Sequence, residues 1–546
     1  MLRPAVVALL TSLVGTTLAG QAPEPRVDSL FAMQRHNDRA GCAVGVVKAG
    51  KQIFAKGYGM ADIAQGLAIT PHSVFHVASV SKQFAGMSLV LLAQAGKLSL
   101  DDDVRKYLPD LPSYGAPLTI RQFLNHTSGI RDQWNLLMTS GWRLGDDLVS
   151  EQDVVDIVNR QRGLNFAPNT SWNYSNTGFT LAGLIVKKVT GQTLRQFADS
   201  ALFKPLGMTQ THFHDDNLHI VPLRTRGHTF RNGEWKETNP NYSNAGATSL
   251  FTTVTDLTRW QDQLTNGVVG GRAGIDMLAT RGVLANGDTL SYALGIFVGT
   301  YRGAPTLSHS GGDPGYSSYL VNFPRTGSGV AVLCNSSGTT NPGRLAEQIA
   351  DILLADELGP EPPVPAQATA AAVAKHLGLY WSDSTEGTGS IVVESDGAGW
   401  RSLGGNVTRL RVSGTEGKLL LGNGPASLTL RPDGTVLMRA GTGETSIYRK
   451  VAPWTPTPAA RAALVGRYHS EELNVTWEIK AAGDTLTLHR WKFPPARLNP
   501  VFEEMYTSSG QLGFVLRPIR GRDGKVAAIT AGSGRVVGMR FDRVAK

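Results

Sequence analysis

Phe75-His76-Val77-Ala78-Ser79-Val80-Ser81-Lys82 is the stretch on which the reading of this chain turns. Apolar residues recur after it at helical spacing, Val80, Phe84, Met87, Leu91 and Ala95, and Gly96 follows as a stop. The spacing therefore predicts a helix from Ser79. Residues three apart share one helix face, so Ser79 and Lys82 set a hydroxyl beside an amine. A serine hydroxyl is a weak nucleophile until a neighbouring base takes its proton. A lysine becomes such a base when burial lowers its pKa. Ser-x-x-Lys also arises by chance on surface helix turns, so its weight depends on what accompanies it.

Two further motifs do. Tyr174-Ser175-Asn176 follows Phe166-Ala167-Pro168-Asn169 and leads through Thr177-Gly178-Phe179 into a helix. A phenol can shuttle a proton, and an amide can grip a substrate carbonyl. His309-Ser310-Gly311-Gly312 precedes two strands, Ser317 to Phe323 and Gly329 to Leu333, with a turn at Pro324-Arg325-Thr326-Gly327. Bare glycine backbone there can approach a ligand closely. Cys42 to Phe54 reads as a β-hairpin turning at Lys48-Ala49-Gly50-Lys51, and a last helix is expected over residues 344–356.

In this order and at these spacings the three motifs resemble the penicillin-binding serine hydrolases. The likeness is nearest to the class C β-lactamase group with its D-alanyl-D-alanine carboxypeptidase and D-aminopeptidase relatives. Leu118-Thr-Ile-Arg-Gln-Phe-Leu-Asn-His-Thr-Ser-Gly129 and Leu202-Phe-Lys-Pro-Leu-Gly-Met208 agree with it, and it covers about residues 28–356. The resemblance implies an α+β catalytic domain of β-lactamase/transpeptidase type, an antiparallel sheet with helices. It implies Ser79 as nucleophile, with Lys82 and Tyr174 sharing the acid–base work. Asn176 would orient the substrate amide, with His309, Gly311 and Gly312 also on the substrate side. The N–H groups of Ser79 and Gly312 would hold the oxyanion. Where class C enzymes carry Lys-Thr-Gly, this chain has His309, so a permanent cation becomes a titratable one. That weakens a β-lactamase reading, while His-x-Gly resembles D-aminopeptidases and some D,D-carboxypeptidases, and this resemblance implies a peptidase or amidase of that type. An esterase, a β-lactamase or a sensor that stays acylated remain the alternatives. In D-aminopeptidases a loop of the last barrel shapes the pocket, and the resemblance does not say which loop would do so here.

The 546 residues exceed one such domain. Gly359-Pro-Glu-Pro-Pro-Val-Pro-Ala and Pro453-Trp-Thr-Pro-Thr-Pro read as breaks, with short alternating strands between and after them. Leu377-Gly-Leu-Tyr-Trp-Ser382 and Val465-Gly-Arg-Tyr-His-Ser470 open two similar units of about 80 residues, each suited to a small antiparallel barrel. The expected division is a catalytic domain over 23–358, a linker over 359–372, a barrel over 373–452, a linker over 453–460 and a second barrel over 461–546. Residues 1–22 read as an export signal, with Arg3, an apolar run to Ala19 and small residues at two cleavage points. A periplasmic or secreted protein follows, without stable membrane insertion. In that compartment Cys42 and Cys334 could be two buried thiols or one disulfide.

Hydrophobic residues make up 41% and charged residues 18% of the chain, which excludes a disordered or polytopic membrane protein. The net charge of +9 is spread along the chain without a Lys/Arg run, so nucleic acid is not expected as a partner. The expected partner is a small peptide, amide or ester, and no cofactor is expected. His212-Phe-His-Asp-Asp-Asn217 approaches a zinc-ligand pattern but ends in asparagine, and no metal is assigned to it. The oligomeric state is open.

Overall fold

The structure, a computed structural model, describes residues 23–395, 397–510 and 512–545; the expected export signal lies outside them. Its centre is a six-stranded antiparallel sheet. The strands are β1 (Cys42–Lys48), β2 (Lys51–Tyr58), β3 (Phe297–Tyr301), β4 (Ala304–Asp313), β5 (Tyr316–Phe323) and β6 (Ser328–Cys334), in the order β3-β4-β5-β6-β1-β2. The expected hairpin is β1–β2. Ala49 and Gly50 both have positive φ, 48° and 75°, which matches a tight two-residue hairpin turn.

Both faces of the sheet are covered, so β1 and β6 are buried nearly throughout. Side chains alternate between the faces. Val44, Val46, Val330 and Val332 pack with Ala346 and Ile349 of the last catalytic-domain helix (Pro342–Leu353). Ala43, Ala331 and Leu333 face the helical layer, where the helix Val254–Asn266 crosses β1 and β6. A side chain at Gly45 would meet Val254 Cβ at 3.1 Å, so the glycine allows that close approach. Cys42 and Cys334 stand opposite each other on β1 and β6 and form a disulfide. Of the two thiol states open from the sequence, the bonded one holds.

In the helical layer lie α1 (Lys82–Gln94), α2 (Gln133–Thr139) and α3 (Thr177–Thr190). Helix α1 is buried all round from Lys82 to Val90, which marks it as a core helix. It starts three residues later than the spacing predicts, because Ala78–Ser81 forms a 3₁₀ turn ahead of it. It ends as expected at Gly96, whose φ is 65°.

Two closed, eight-stranded antiparallel barrels follow. The first closes Gly378–Ser382 against Thr445–Val451, and the second closes Gly466–Ser470 against Met539–Val544. The matched hexapeptides hold one device in both. The hydroxyl of Tyr380 donates to His376 O, and that of Tyr468 to Leu464 O, each at 2.8 Å. The Pro-rich segment after Gly359 is stitched to the first barrel, where Ala368 N donates to Leu410 O and Ala366 O accepts from Val412 N. The second barrel shares its apolar core with the helical layer, and the buried Arg131–Glu472 ion pair at 2.7 Å adds to that seam. The first barrel docks through polar contacts, Ser291 N to Thr442 O at 2.7 Å and Arg439 to Asp288 at 3.1 Å. No helix among the described residues is long and apolar enough to cross a membrane.

Candidate active site

Ser79 stands at the head of α1 on a backbone that the surroundings force. Ala78, just before it, has φ 48°, a left-handed conformation costing about 1 kcal/mol for a residue with a Cβ. Val77 N donates to Leu250 O, and Ser81 Oγ bridges Ala78 O and Leu250 N at 2.5 and 2.9 Å. These bonds hold the turn. Ser79 is the half-exposed residue in an otherwise buried run from Ser73 to Val80, and it lines a cavity of about 790 Å³.

Lys82 is fully buried, and its Nζ has three oxygen neighbours: Ser79 Oγ at 3.1 Å, Asn176 Oδ1 at 2.8 Å and Ala247 O at 2.6 Å. Burial pushes its pKa down to about 7, with the positive charge of Arg535 adding to the fall and Asp313 and Asp132 opposing it. The neutral amine has two hydrogens and one lone pair. Ala247 O and Asn176 Oδ1 can only accept, so they take the hydrogens. The lone pair is left for the Ser79 hydroxyl. Lys82 in its neutral form is thus set as a base toward Ser79.

Tyr174 and Asn176 arrive from the start of α3. Tyr174 is a hydrogen-bonding neighbour of Ser79, and Lys82 Nζ lies 4.8 Å from its ring centre. Burial raises the phenol's pKa well above its usual value, with Ser79 opposing the rise, so it remains a proton donor. His126 packs on Tyr174 with ring centres 4.2 Å apart and accepts from Ser175 N through Nδ1. Asn176 is more constrained than the sequence implies. Its Oδ1 serves Lys82, and its Nδ2 donates to Asp132 Oδ2 at 2.7 Å, leaving one Nδ2 hydrogen without a partner among the described residues.

Asp132 escaped the sequence reading, since no motif surrounds it. Its carboxylate is fully buried and accepts four N–H groups, from Trp134 N, Asn135 N, Asn176 N and Asn176 Nδ2. It therefore caps α2 and orients the amide that positions Lys82. Asp132→Ala strands those donors. We expect it to lower stability by about 2–4 kcal/mol and kcat by about 100-fold through the misplaced base. Urea unfolding and single-turnover acylation measure the two effects.

The third motif lies on β4. Beyond Ser308 this strand has lost β3, so residues 309–313 present a free edge on the Ser79 side. A side chain at Gly311 would collide with Val77 O and Ser318 Oγ at 2.3 Å, which explains how β4 presses against the nucleophile turn. One at Gly312 would enter open space, and Gly312 lines the cavity.

His309 departs from its expected role as a titratable cation. It is buried, Nδ1 donates to Ser310 O at 2.6 Å, and Nε2 accepts from the buried Tyr292 hydroxyl at 2.8 Å. Both nitrogens are engaged, and burial, with Lys82 adding to the effect, pushes the pKa down to about 3. A neutral histidine stands here, because an imidazolium would be desolvated without a carboxylate partner. His212 and His214 sit apart from the cavity, their rings against Phe251. Among the described residues no cluster of three or more His, Cys, Asp or Glu side chains is arranged to hold a metal.

Both barrels reach the cavity, the first through Thr385 and Glu444, the second through Gly534 and Arg535. The loop between strands Val526–Gly532 and Met539–Val544 is laid across the helical layer as a strap. Asn135 Nδ2 donates to Ser533 O at 2.5 Å, Asn173 Nδ2 to Gly534 O at 3.2 Å, and Asn165 Nδ2 to Arg535 O at 2.9 Å. Arg131 Nη2 donates to Val537 O at 3.2 Å. The guanidinium of Arg535 lies 4.6 Å from the centre of the Tyr174 ring.

A hydroxyl on a strained turn, a buried amine facing it, a phenol beside both and a free strand edge define an acyl-transfer site of serine-hydrolase type. Residues 27–354 match the Beta-lactamase family, and the chain belongs to that family, within the serine hydrolases of the β-lactamase and penicillin-binding protein superfamily. Penicillin-binding protein 4* of Bacillus subtilis (strain 168) is 27% identical over 324 residues, 56% of this chain and 70% of that protein. The octameric penicillin-binding protein homologue from Pyrococcus abyssi shares the fold at a TM-score of 0.55 and 22% identity, over 78% of this chain and all of that one. The D-amino acid amidase from Ochrobactrum anthropi SV3 does so at 0.52 and 20%, over 62% of this chain and all of that one.

Proposed function

We propose that the protein is an exported serine hydrolase that forms an acyl-enzyme on Ser79 and cleaves peptide or amide bonds beside D-residues, as a D,D-carboxypeptidase or D-aminopeptidase does. One observation carries this reading: the two acceptor-only oxygens at Lys82 Nζ, which leave its lone pair for Ser79. Lys82 takes the proton as Ser79 Oγ attacks the carbonyl carbon. The oxyanion rests on the N–H groups of Ser79 and the β4 edge. The proton passes by way of Tyr174 to the departing nitrogen as the C–N bond breaks. Water then cleaves the ester, with the same amine as base. The free edge of β4 suits an extended peptide, which can pair with it as an added strand. The fold shared with the D-amino acid amidase supports the D-residue assignment. The Cys42–Cys334 bond suits an oxidising compartment and supports export.

The test is a panel of D-amino-acid amides, acyl-D-Ala-D-Ala, a simple ester and a β-lactam, followed for turnover and for mass added to Ser79. Turnover of a D-amide or D-peptide through a transient Ser79 adduct is expected. Turnover of the ester alone would make the protein an esterase. An adduct that persists on every substrate would make it a sensor, and no adduct at all would end the serine mechanism.

A further inference from the structure

Arg535 is the only lysine or arginine among the described residues lining the catalytic cavity. The two carboxylates of that lining are committed elsewhere. Asp313 accepts from Thr248 Oγ1 at 2.5 Å and pairs with His76 at 2.8 Å, and Glu444 accepts from the Thr442 hydroxyl. Among the described residues no carboxylate lies within ion-pair distance of the Arg535 guanidinium. The main chain of Arg535, by contrast, is fixed, since its carbonyl accepts from both Asp132 N and Asn165 Nδ2. A cation on a pinned backbone, open to the cavity and without a protein counter-ion, has the form of an anion subsite. His309, neutral and with both nitrogens engaged, offers no such charge.

We propose that Arg535 is the carboxylate subsite of the active site and binds the free α-carboxylate of the amino acid that leaves when Ser79 is acylated. The side follows from Tyr174. The phenol next to Ser79 delivers the proton to the departing nitrogen, so the leaving group lies along that ring. The α-carboxylate of an amino acid is two bonds from its nitrogen, and the guanidinium held against the same ring can take both oxygens. Ser79 Oγ bonds to the acyl carbon, the C–N bond breaks, the Ser79 proton ends on the nitrogen, and the amino acid departs as its zwitterion. This deepens the function proposed above and rests on it: the substrate class narrows to acyl peptides ending in a free carboxylate, with the second barrel supplying the recognition.

The experiment compares acyl-D-Ala-D-Ala with its C-terminal amide in the native protein, Arg535→Gln and Arg535→Lys, with p-nitrophenyl acetate as a neutral probe of Ser79. We expect kcat/KM in the native protein to favour the free acid by about 30-fold, as for loss of a charged hydrogen-bonding partner. In R535Q the ratio should fall to within about threefold of unity, with R535K between. Removing Arg535 also relieves the repulsion on Lys82, but that change is common to both substrates and cancels in the ratio. Free D-alanine should inhibit the native protein more strongly than D-alaninamide does, a comparison that needs no variant. A native ratio near unity, equal loss on both substrates in R535Q, or equal inhibition by the two products would overturn the subsite. If p-nitrophenyl acetate still acylates Ser79 in that case, the hydrolase reading survives; if nothing acylates Ser79, both fall.

Discussion

Replacing Ser79 by alanine is expected to lower kcat on every substrate by about 10⁶-fold, the scale seen when a catalytic nucleophile is deleted. The mass added to the protein by a slow substrate should vanish with it. The change removes one oxygen from a residue facing the cavity, so the fold should be untouched. The alanine already present at position 78 in left-handed backbone shows that this turn accepts a methyl group. Thermal unfolding within about 2 °C of the native protein, together with lost turnover, would establish the role. Turnover above about one part in a hundred would move the nucleophile elsewhere in the cavity.

The second large effect is on pH. Lys82 acts as base only when neutral, and its pKa is lowered to about 7. Below that value the proton occupies the lone pair that Ser79 needs, so kcat/KM on a neutral ester should fall about tenfold per pH unit, reaching about 100-fold at pH 5. Above pH 7 it should level off. Burial pushes His309 down to about 3 and His126 well below its usual value, and it pushes Tyr174 upward, so none of these three gives a step there. A single acid limb near pH 7 is the expected profile. A flat profile from pH 5 to 9 would remove Lys82 as base. A further limb near pH 6 would show that a second group takes up a proton there and that Lys82 does not set the profile alone.

Much of the local structure was legible because it depends on neighbours in sequence. Ala49-Gly50 can take the two positive φ values of the hairpin, Gly96 ends α1, and Pro324 to Gly327 turns between β5 and β6. The paired tyrosines at 380 and 468 marked two copies of one barrel, since each hydroxyl is used four residues back in the chain. The start of α1 was misplaced, because the left-handed backbone at Ala78 is imposed by Leu250, Ser318 and Gly311, all remote in sequence.

The three motifs and the family resemblance they carry named Ser79, Lys82, Tyr174 and Asn176, which the fold brings together, and the short alternating strands placed two barrels after the catalytic unit. Protonation states were beyond that reading. Whether Lys82 is a base and His309 a neutral acceptor depends on burial and on the Ala247 carbonyl that accepts from the one and the Tyr292 hydroxyl that donates to the other, groups that meet them only in the folded chain. The same holds for the Cys42–Cys334 bond, for Asp132 beneath Asn176, and for Arg535 brought from the last barrel to the Tyr174 ring. Charge and hydrogen bonding act through space over a few ångströms, and the distance between two residues along a polypeptide says little about that separation.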